Sequence, residues 1–194
     1  VGVLGVLDDV SRATGSGWRA AGETIFLLGT TRAELDGSAW ADVEHSHLGG
    51  VPPRLDLAAE KSLAEVLINA TRDELVDAAH DLSEGGLVQG LIEACLRFGV
   101  GAKVSVAGIT ARDGVSDFEA LFSESTARVL VSVPRGEEVR LVDACVARGV
   151  PYLKIGEAGH DVDGVEALEI DGLFTLPLDE AREVHTRTLP AIFG

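Results

Sequence analysis

Short apolar segments alternate with longer amphipathic ones along most of this chain, and this alternation narrows the choice of folds more than any other feature. Residues 24–28, 102–106 and 129–133 are rich in aliphatic and β-branched side chains and have the length of strands. Residues 84–98 repeat apolar side chains on one helical face and end at Gly99, a common helix terminator. Strands and helices in alternation predict a layered α/β domain, with a parallel or a mixed sheet.

The same patterns predict the remaining elements and a division of the chain. Strands are expected at residues 1–7, 76–79, 152–155 and 167–170, and helices at residues 57–70, 137–148 and 178–187. The Gly-Gly-Val-Pro-Pro run at residues 49–53 can continue neither a helix nor a strand. We therefore expect a short β-rich segment and linker over residues 1–50, followed by an α/β domain over residues 51–194.

Charge and composition exclude several classes of function. The formal net charge is -16, which would repel a phosphate backbone, so nucleic acid is not an expected partner. No apolar run approaches the ~20 residues of a membrane span, and the start does not resemble a signal peptide. Cys95 and Cys145 stand alone in apolar patterns and are expected to be buried free thiols in a cytoplasmic protein. The chain starts at Val1 and contains no methionine, so we expect it to be cut from a longer one.

The first candidate binding segment lies where a strand gives way to the helix at residues 84–98. Ser83, Glu84, Gly85 and Gly86 follow His80-Asp81-Leu82 at this junction. The first amides of a helix lack partners within it, and glycines allow close approach, so such a start can hold a phosphate. The alternative is an ordinary capped helix whose glycines pack against the sheet.

The second candidate segment precedes the strand at residues 129–133. Ser123, Glu124, Ser125 and Arg128 place short hydroxyls, a carboxylate and a guanidinium together, which could orient the phosphate or hydroxyl group of a nucleotide. The same residues could equally form a turn with an internal ion pair. Asp113, just upstream, is expected in a solvated turn.

No complete catalytic or metal-binding group can be recognised. His45 and His47 are separated by one residue, but no third ligand is evident, so we expect surface or packing histidines. No serine, cysteine or lysine is accompanied by a recognisable base and orienting group. We therefore assign no catalytic residue and no metal ligand to this chain.

Six segments, in their order along the chain, together resemble a known family. They are residues 3–10, residues 49–57 with Glu60 and Lys61, residues 80–87, residues 122–125 with Arg128, residues 155–157 and residues 188–194. In that order they resemble the C-terminal third of the PurL-type large subunit of phosphoribosylformylglycinamidine synthase. The resemblance covers almost the whole chain.

The resemblance implies a fold and an activity that the residue patterns alone do not reveal. It implies an α/β (α+β) domain with α/β/α layers and a mixed sheet, like the C-terminal domain of aminoimidazole ribonucleotide synthetase, preceded by the end of an ATP-site domain. In this family, ATP activates the amide oxygen of the glycinamide group of formylglycinamide ribonucleotide as an iminophosphate, and ammonia then displaces the phosphate. ATP and Mg²⁺ are the implied cofactors of the full-length enzyme.

The resemblance also implies what this chain lacks. A glutaminase subunit, a small bridging subunit and the missing N-terminal domains are the implied partners, and the catalytic histidine and main Mg²⁺ carboxylates lie upstream. Thr126 stands where the first half of the family's large subunit has the glutamine of a Glu-Ser-Gln stretch. We expect a chain without activity of its own; the alternatives are a scaffold or docking module of the same complex, or a domain of a sister enzyme.

Overall fold

The residues that the structure describes form eight strands and seven α-helices. A computed structural model describes residue 2 and residues 4–193, without the side chains of residues 188 and 189. The strands are β1 (Thr24–Leu28), β2 (Ala78–Asp81), β3 (Ala102–Val104), β4 (Val129–Val133), β5 (Tyr152–Ala158), β6 (Asp161–Val162), β7 (Val165–Ile170) and β8 (Phe174–Pro177). The helices are α1 (Ala39–His45), α2 (Leu57–Arg72), α3 (Gly86–Phe98), α4 (Ala107–Asp113), α5 (Asp117–Phe122), α6 (Glu138–Arg148) and α7 (Leu178–Phe193).

The strands form one mixed sheet in the order β2-β4-β1-β5-β3-β7-β6, with β8 added to β7. Neighbouring strands are antiparallel except β3 and β7, which run parallel. The predicted mixed sheet is therefore confirmed. β2 forms the end of the sheet that matters below, because the chain passes from it directly into α3.

Two apolar layers cover the sheet, one on each face. Successive side chains of a strand point to opposite faces, so Ile25 and Leu27 of β1 pack on one side and Phe26 and Leu28 on the other. Helices α3, α4, α5 and α7 cover the first face, and α2 and α6 cover the second. This arrangement confirms the predicted α/β/α layers.

Most predicted elements are present, with shifted ends. β1 and β4 have the predicted bounds, and α3 and α6 end at Gly99 and Gly149 in left-handed conformation. β2 starts two residues later than predicted, and α7 continues to Phe193. The short helices α1, α4 and α5 were not predicted, because six or seven residues carry too little apolar periodicity to identify a helix.

The start of the chain differs from the prediction in two ways. Residue 2 and residues 4–7 form no strand, and Leu4 and Val6 are more than nine-tenths exposed; Val1 and Val3 lie outside the described residues. The assignment of residues 1–50 to a preceding domain is wrong for β1, which pairs with β4 and β5 at the centre of the sheet. Its five residues are buried from both faces, so it belongs to the layered domain. For the residues before β1 the assignment stays a prediction.

Candidate functional site

Helix α3 begins with two glycines in left-handed conformation. Gly85 is the N-cap with φ 78°, so the N-cap residue has no side chain with which to cap the helix. A Cβ on Gly86 (φ 67°) would lie 2.6 Å from the carbonyl oxygen of Ser123 and 2.8 Å from that of Leu121. Glycine is therefore required for the start of α3 to pack directly against the end of α5.

The carboxylate of Glu124 occupies the position at this helix start where a phosphate was expected. The amide of Gly85 donates a hydrogen bond to its Oε1 at 2.7 Å, and the amide of Ala39, the first residue of α1, donates to the same oxygen at 2.7 Å. A negative charge at the N-terminus of a helix is favourable. Glu124 supplies that charge to two helix starts at once, so both amides are satisfied within the chain.

Ser123 and Ser125 are fully buried on either side of Glu124 and hold the loop that follows β1. The amide of Glu34 donates to the Ser123 hydroxyl at 3.3 Å. The amide of Arg32 donates to the Ser125 hydroxyl at 3.0 Å, and that hydroxyl donates back to the Arg32 carbonyl at 3.3 Å. The two serines therefore act as backbone partners of residues that lie some 90 positions earlier in the chain.

The guanidinium of Arg128 is buried beneath the same turn, with 2% of the residue exposed. It donates to the carbonyl oxygens of Ser125 (2.9 Å) and Ser123 and to the hydroxyl of Thr31 (3.1 Å). Among the described residues, no carboxylate lies within ion-pair distance of it. Burial lowers the pKa of Arg128 to about 10, which leaves it protonated at neutral pH. The internal ion pair considered for this turn is therefore absent from the described contacts, and neutral oxygens hold the guanidinium instead.

Two adjoining cavities open beside this turn. The first, of about 460 Å³, lies between α2 and the junction of β2 with α3 and is lined by Ser83, Glu84, Glu124 and Arg128. The second, of about 450 Å³, lies at the start of α2. Thr126 and Ala127 line both cavities and separate them. We call them the α3 cavity and the α2 cavity.

The α3 cavity has an acidic lining. Four carboxylates line it, those of Glu60, Asp81, Glu84 and Glu124, against the single guanidinium of Arg128. Two of these carboxylates already accept hydrogen bonds from backbone amides. Glu60 accepts one from Ala127 at 2.9 Å, and Glu124 accepts those from Gly85 and Ala39. A cavity with this charge does not favour a phosphate group unless positive charge comes from elsewhere.

The structure thus brings the eight predicted binding residues together at one end of the sheet, but most of their polar groups face one another. Their role in phosphate binding stays a prediction. The turn before β4 is held by hydrogen bonds to neutral oxygens without the internal ion pair of its structural alternative. At the α3 start, Gly86 packs against the end of α5 rather than against the sheet. Asp113 differs from its expected solvated turn: its side chain is 3% exposed, pairs with Arg112 at 2.6 Å and accepts the amide of Thr31 at 2.8 Å. Glu34 and Thr31 escaped notice, because contacts between residues so far apart leave no local pattern.

The cysteines and His45 lie apart from both cavities. Both cysteines are buried and free, and burial raises the pKa of Cys95 to about 12 and that of Cys145 to about 11. His45 packs edge-on against Trp40, with ring centroids 4.9 Å apart. Within the described part of the chain, no three His, Cys, Asp or Glu side chains cluster as metal ligands would. None of its helices combines the length and apolarity that crossing a bilayer requires.

The fold is similar to that of solved proteins. PurL of Thermotoga maritima complexed with FGAR matches with a TM-score of 0.74 and 20% identity, over 89% of this chain and 30% of that one. The same protein complexed with ATP gives a TM-score of 0.67 over 89% and 27% of the two chains, at 20% identity. A structure of PurLQS from Thermotoga maritima gives 0.66 over 87% and 27%, at 20% identity.

Curated relatives match the whole chain at much higher identity. Phosphoribosylformylglycinamidine synthase subunit PurL of Renibacterium salmoninarum is 61% identical over 100% of this chain and 25% of that protein. The corresponding subunit of Leifsonia xyli is 54% identical over the same shares. The chain therefore spans about a quarter of the length of these relatives.

A family model covers most of the layered domain. The model for AIR synthase related protein, C-terminal domain, matches residues 20–168 and thus begins before β1, in agreement with the place of β1 at the centre of the sheet. The match extends over more than half of the chain, through β7. By this match, the chain belongs to the family of AIR synthase related proteins and carries their C-terminal domain.

Proposed function

We propose that this chain is the C-terminal quarter of the large subunit of an ATP-dependent phosphoribosylformylglycinamidine synthase in purine biosynthesis. The observation that carries the proposal is the 61% identity with the PurL subunit of Renibacterium salmoninarum over every residue of this chain. Since the match takes up 25% of that subunit, the activity belongs to a longer polypeptide.

The proposed reaction forms a carbon–nitrogen bond. ATP activates the carbonyl oxygen of the glycinamide group of formylglycinamide ribonucleotide, ammonia replaces that oxygen, and ADP and phosphate are released while the formyl group stays intact. Support comes from the solved PurL proteins of similar fold, which are complexed with FGAR and with ATP. The described residues contain no group of three His, Cys, Asp or Glu side chains that could hold a metal ion, and we assign Mg²⁺ to the rest of the enzyme.

We assign this part of the enzyme a supporting role in that reaction. Its buried thiols have raised pKa values, and the carboxylate of Glu124 is engaged by the amides of Gly85 and Ala39. The thiols are held protonated and the carboxylate holds two helix starts in place, so we assign none of these groups the activation of a substrate. The domain is thus proposed to complete the fold of the large subunit next to the domains that carry the chemistry.

The proposed partners are a glutaminase subunit that supplies ammonia and a small bridging subunit, in the cytoplasm. The structure of PurLQS from Thermotoga maritima, whose fold is similar, supports an assembly of this kind. A scaffold role within the same complex is the second candidate function. It is favoured by the observation that the Gly85 amide at the α3 start already donates to Glu124.

A chimeric enzyme tests the proposal directly. In the PurL subunit of Renibacterium salmoninarum, the matched quarter is replaced by these 194 residues. The chimera is assayed with ATP, Mg²⁺, ammonia and formylglycinamide ribonucleotide. A tenfold fall in kcat/KM corresponds to a loss of ~1.4 kcal/mol of transition-state stabilisation. We expect the chimera to lose no more than this, so its kcat/KM should lie within about tenfold of the parent's.

The control is the parent subunit with the matched quarter deleted, which should be inactive, as should the 194-residue chain alone. A chimera that folds with the parent's secondary structure but has no synthase activity would contradict the proposed function. Turnover by the isolated chain would contradict the supporting role.

A further inference from the structure

We infer that the α2 cavity is a binding site for a phosphate group, built around Arg32 and Arg54. The cavity measures about 450 Å³, within the usual size of small-ligand sites, and both arginines line it. The eight residues singled out from the sequence line the other cavity or lie behind it. The inference concerns this domain's own surface and does not depend on the activity of the longer enzyme.

The charge of the lining separates the two cavities. The α2 cavity is lined by two arginines and one carboxylate, that of Asp56, whereas the α3 cavity is lined by four carboxylates and one arginine. The Asp56 carboxylate accepts the amides of Ala58 (3.1 Å) and Ala59 (3.0 Å), which offset its charge. In a chain of net charge -16, the α2 cavity is the one of the two whose lining favours an anion.

The backbone of Arg54 is fixed while its side chain is left available. Its amide donates to Oε1 of Glu34 at 2.9 Å, and its carbonyl accepts the Thr126 hydroxyl at 2.9 Å. Its exposed guanidinium has neither an ion pair nor a hydrogen bond with any of the described residues. A guanidinium on a fixed backbone can bind a phosphate through two parallel hydrogen bonds at a reduced entropic cost.

Arg32 is fixed by the turn that the sequence analysis singled out. Its amide and carbonyl both bond to the hydroxyl of Ser125, and its Nε lies 3.6 Å from Oε1 of Glu34. The buried Ser123-Glu124-Ser125 turn is thus a positioning element for Arg32. It serves an anion in the neighbouring cavity rather than one at the start of α3.

Hydroxyl groups add neutral donors to the same cavity. Thr30 and Ser62 line it together with Gly29, whose φ of 95° and close approach to Ala127 exclude a side chain at that position. Two guanidiniums with nearby hydroxyls and open backbone suit the three oxygens of a phosphomonoester or of inorganic phosphate.

A titration of the 194-residue chain with inorganic phosphate, followed by amide chemical shifts at constant ionic strength, tests this assignment. We expect saturable shifts at Gly29, Thr30 and Gly149, which line the α2 cavity, and none at Gly85 and Gly86. Arg54→Gln and Arg32→Gln should each weaken binding about tenfold through the loss of a charge-assisted hydrogen bond. Arg54→Lys keeps the positive charge but loses the planar group that forms two parallel hydrogen bonds. Its phosphate affinity should therefore lie between those of Arg54→Gln and the parent.

Lys61→Gln is the matched control, because Lys61 is an exposed cation of α2 that lines neither cavity. Equal weakening by Lys61→Gln would mean general electrostatic attraction and would overturn the assignment. Phosphate shifts confined to Gly85 and Gly86, or no saturable shift at all, would overturn it too. Because Arg32 and Arg54 are tested separately and each variant's amide spectrum reports its folding, a single misfolded variant still leaves a decisive measurement.

Two further ligands identify the source of the phosphate group. Ribose 5-phosphate and ADP are titrated in the same way, and tighter binding of one at the α2 cavity assigns the site to a sugar phosphate or to a nucleotide. The site would be refuted if ADP bound elsewhere and neither phosphate nor ribose 5-phosphate shifted the amide resonances of the residues that line the α2 cavity. Neither result bears on the chimeric synthase assay, so the two proposals fail independently.

Discussion

Helices α2 and α3 both begin beside the adjoining cavities, but their first amides are satisfied in different ways. The start of α2 is capped by its own Asp56, whose carboxylate accepts the amides of Ala58 and Ala59. The start of α3 has no side-chain cap of its own and depends on Glu124, 39 positions further along the chain. One helix start is therefore locally complete, and the other exists only in the folded domain.

The difference assigns distinct tasks to two junctions that look alike in sequence. The local cap of α2 uses contacts two and three residues from Asp56, and it does not engage the side chain of Arg54. The distant cap joins α3, α1 and the turn before β4 into one unit, in which the amides of Gly85 and Ala39 already donate to Glu124. Substitutions should therefore lower the free energy of unfolding more at the α3 start than at the α2 start.

The largest effect is expected from Gly86→Ala. The new Cβ would lie 2.6 Å from the Ser123 carbonyl oxygen at a φ of 67°, so steric overlap adds to backbone strain. We expect a loss of about 4 kcal/mol in the free energy of unfolding, measured by urea denaturation. Gly114→Ala is the control, since Gly114 has a similar φ of 71° but no atom near its would-be Cβ. It should lose about 1 kcal/mol, and equal losses would mean that the α3 start is not tightly packed.

Glu124→Ala should follow, with a loss of about 3 kcal/mol, because the part-buried amides of Gly85 and Ala39 would both lose their acceptor. Urea denaturation again provides the measurement. Glu84→Ala removes an exposed carboxylate from the same cavity, for which the structure describes no hydrogen bond, and should leave the midpoint unchanged. Asp56→Ala should lower the free energy of unfolding by less than Glu124→Ala does, because it affects one helix start rather than two. The reverse order would contradict the comparison.

The same contrast explains which parts of the molecule could be predicted from the sequence. α2 with its Asp56 cap and β1 and β4 with their unbroken apolar residues carry their signals locally, and these predictions are confirmed. The role of Glu124 depends on amides 39 and 85 positions away, so no spacing rule reveals it. The place of β1 at the centre of the sheet is likewise a matter of strand order, which short-range patterns do not encode.

The smallest expected effect concerns the pH dependence of the local cap. Hydrogen bonds from the amides of Ala59 and Ala58 lower the pKa of Asp56 below its usual 3.8. A carboxyl whose pKa is lower in the folded state contributes stability above its unfolded pKa, and this contribution is lost as the pH falls through the folded value. Asp56→Asn keeps a capping oxygen but cannot ionise, so the stability advantage of the parent over the variant should narrow between about pH 5 and about pH 3. Urea midpoints of both proteins across that range measure it. An advantage that stays constant over the range would mean that the carboxylate charge contributes nothing at the α2 start, and that the two helix starts differ in hydrogen bonding alone.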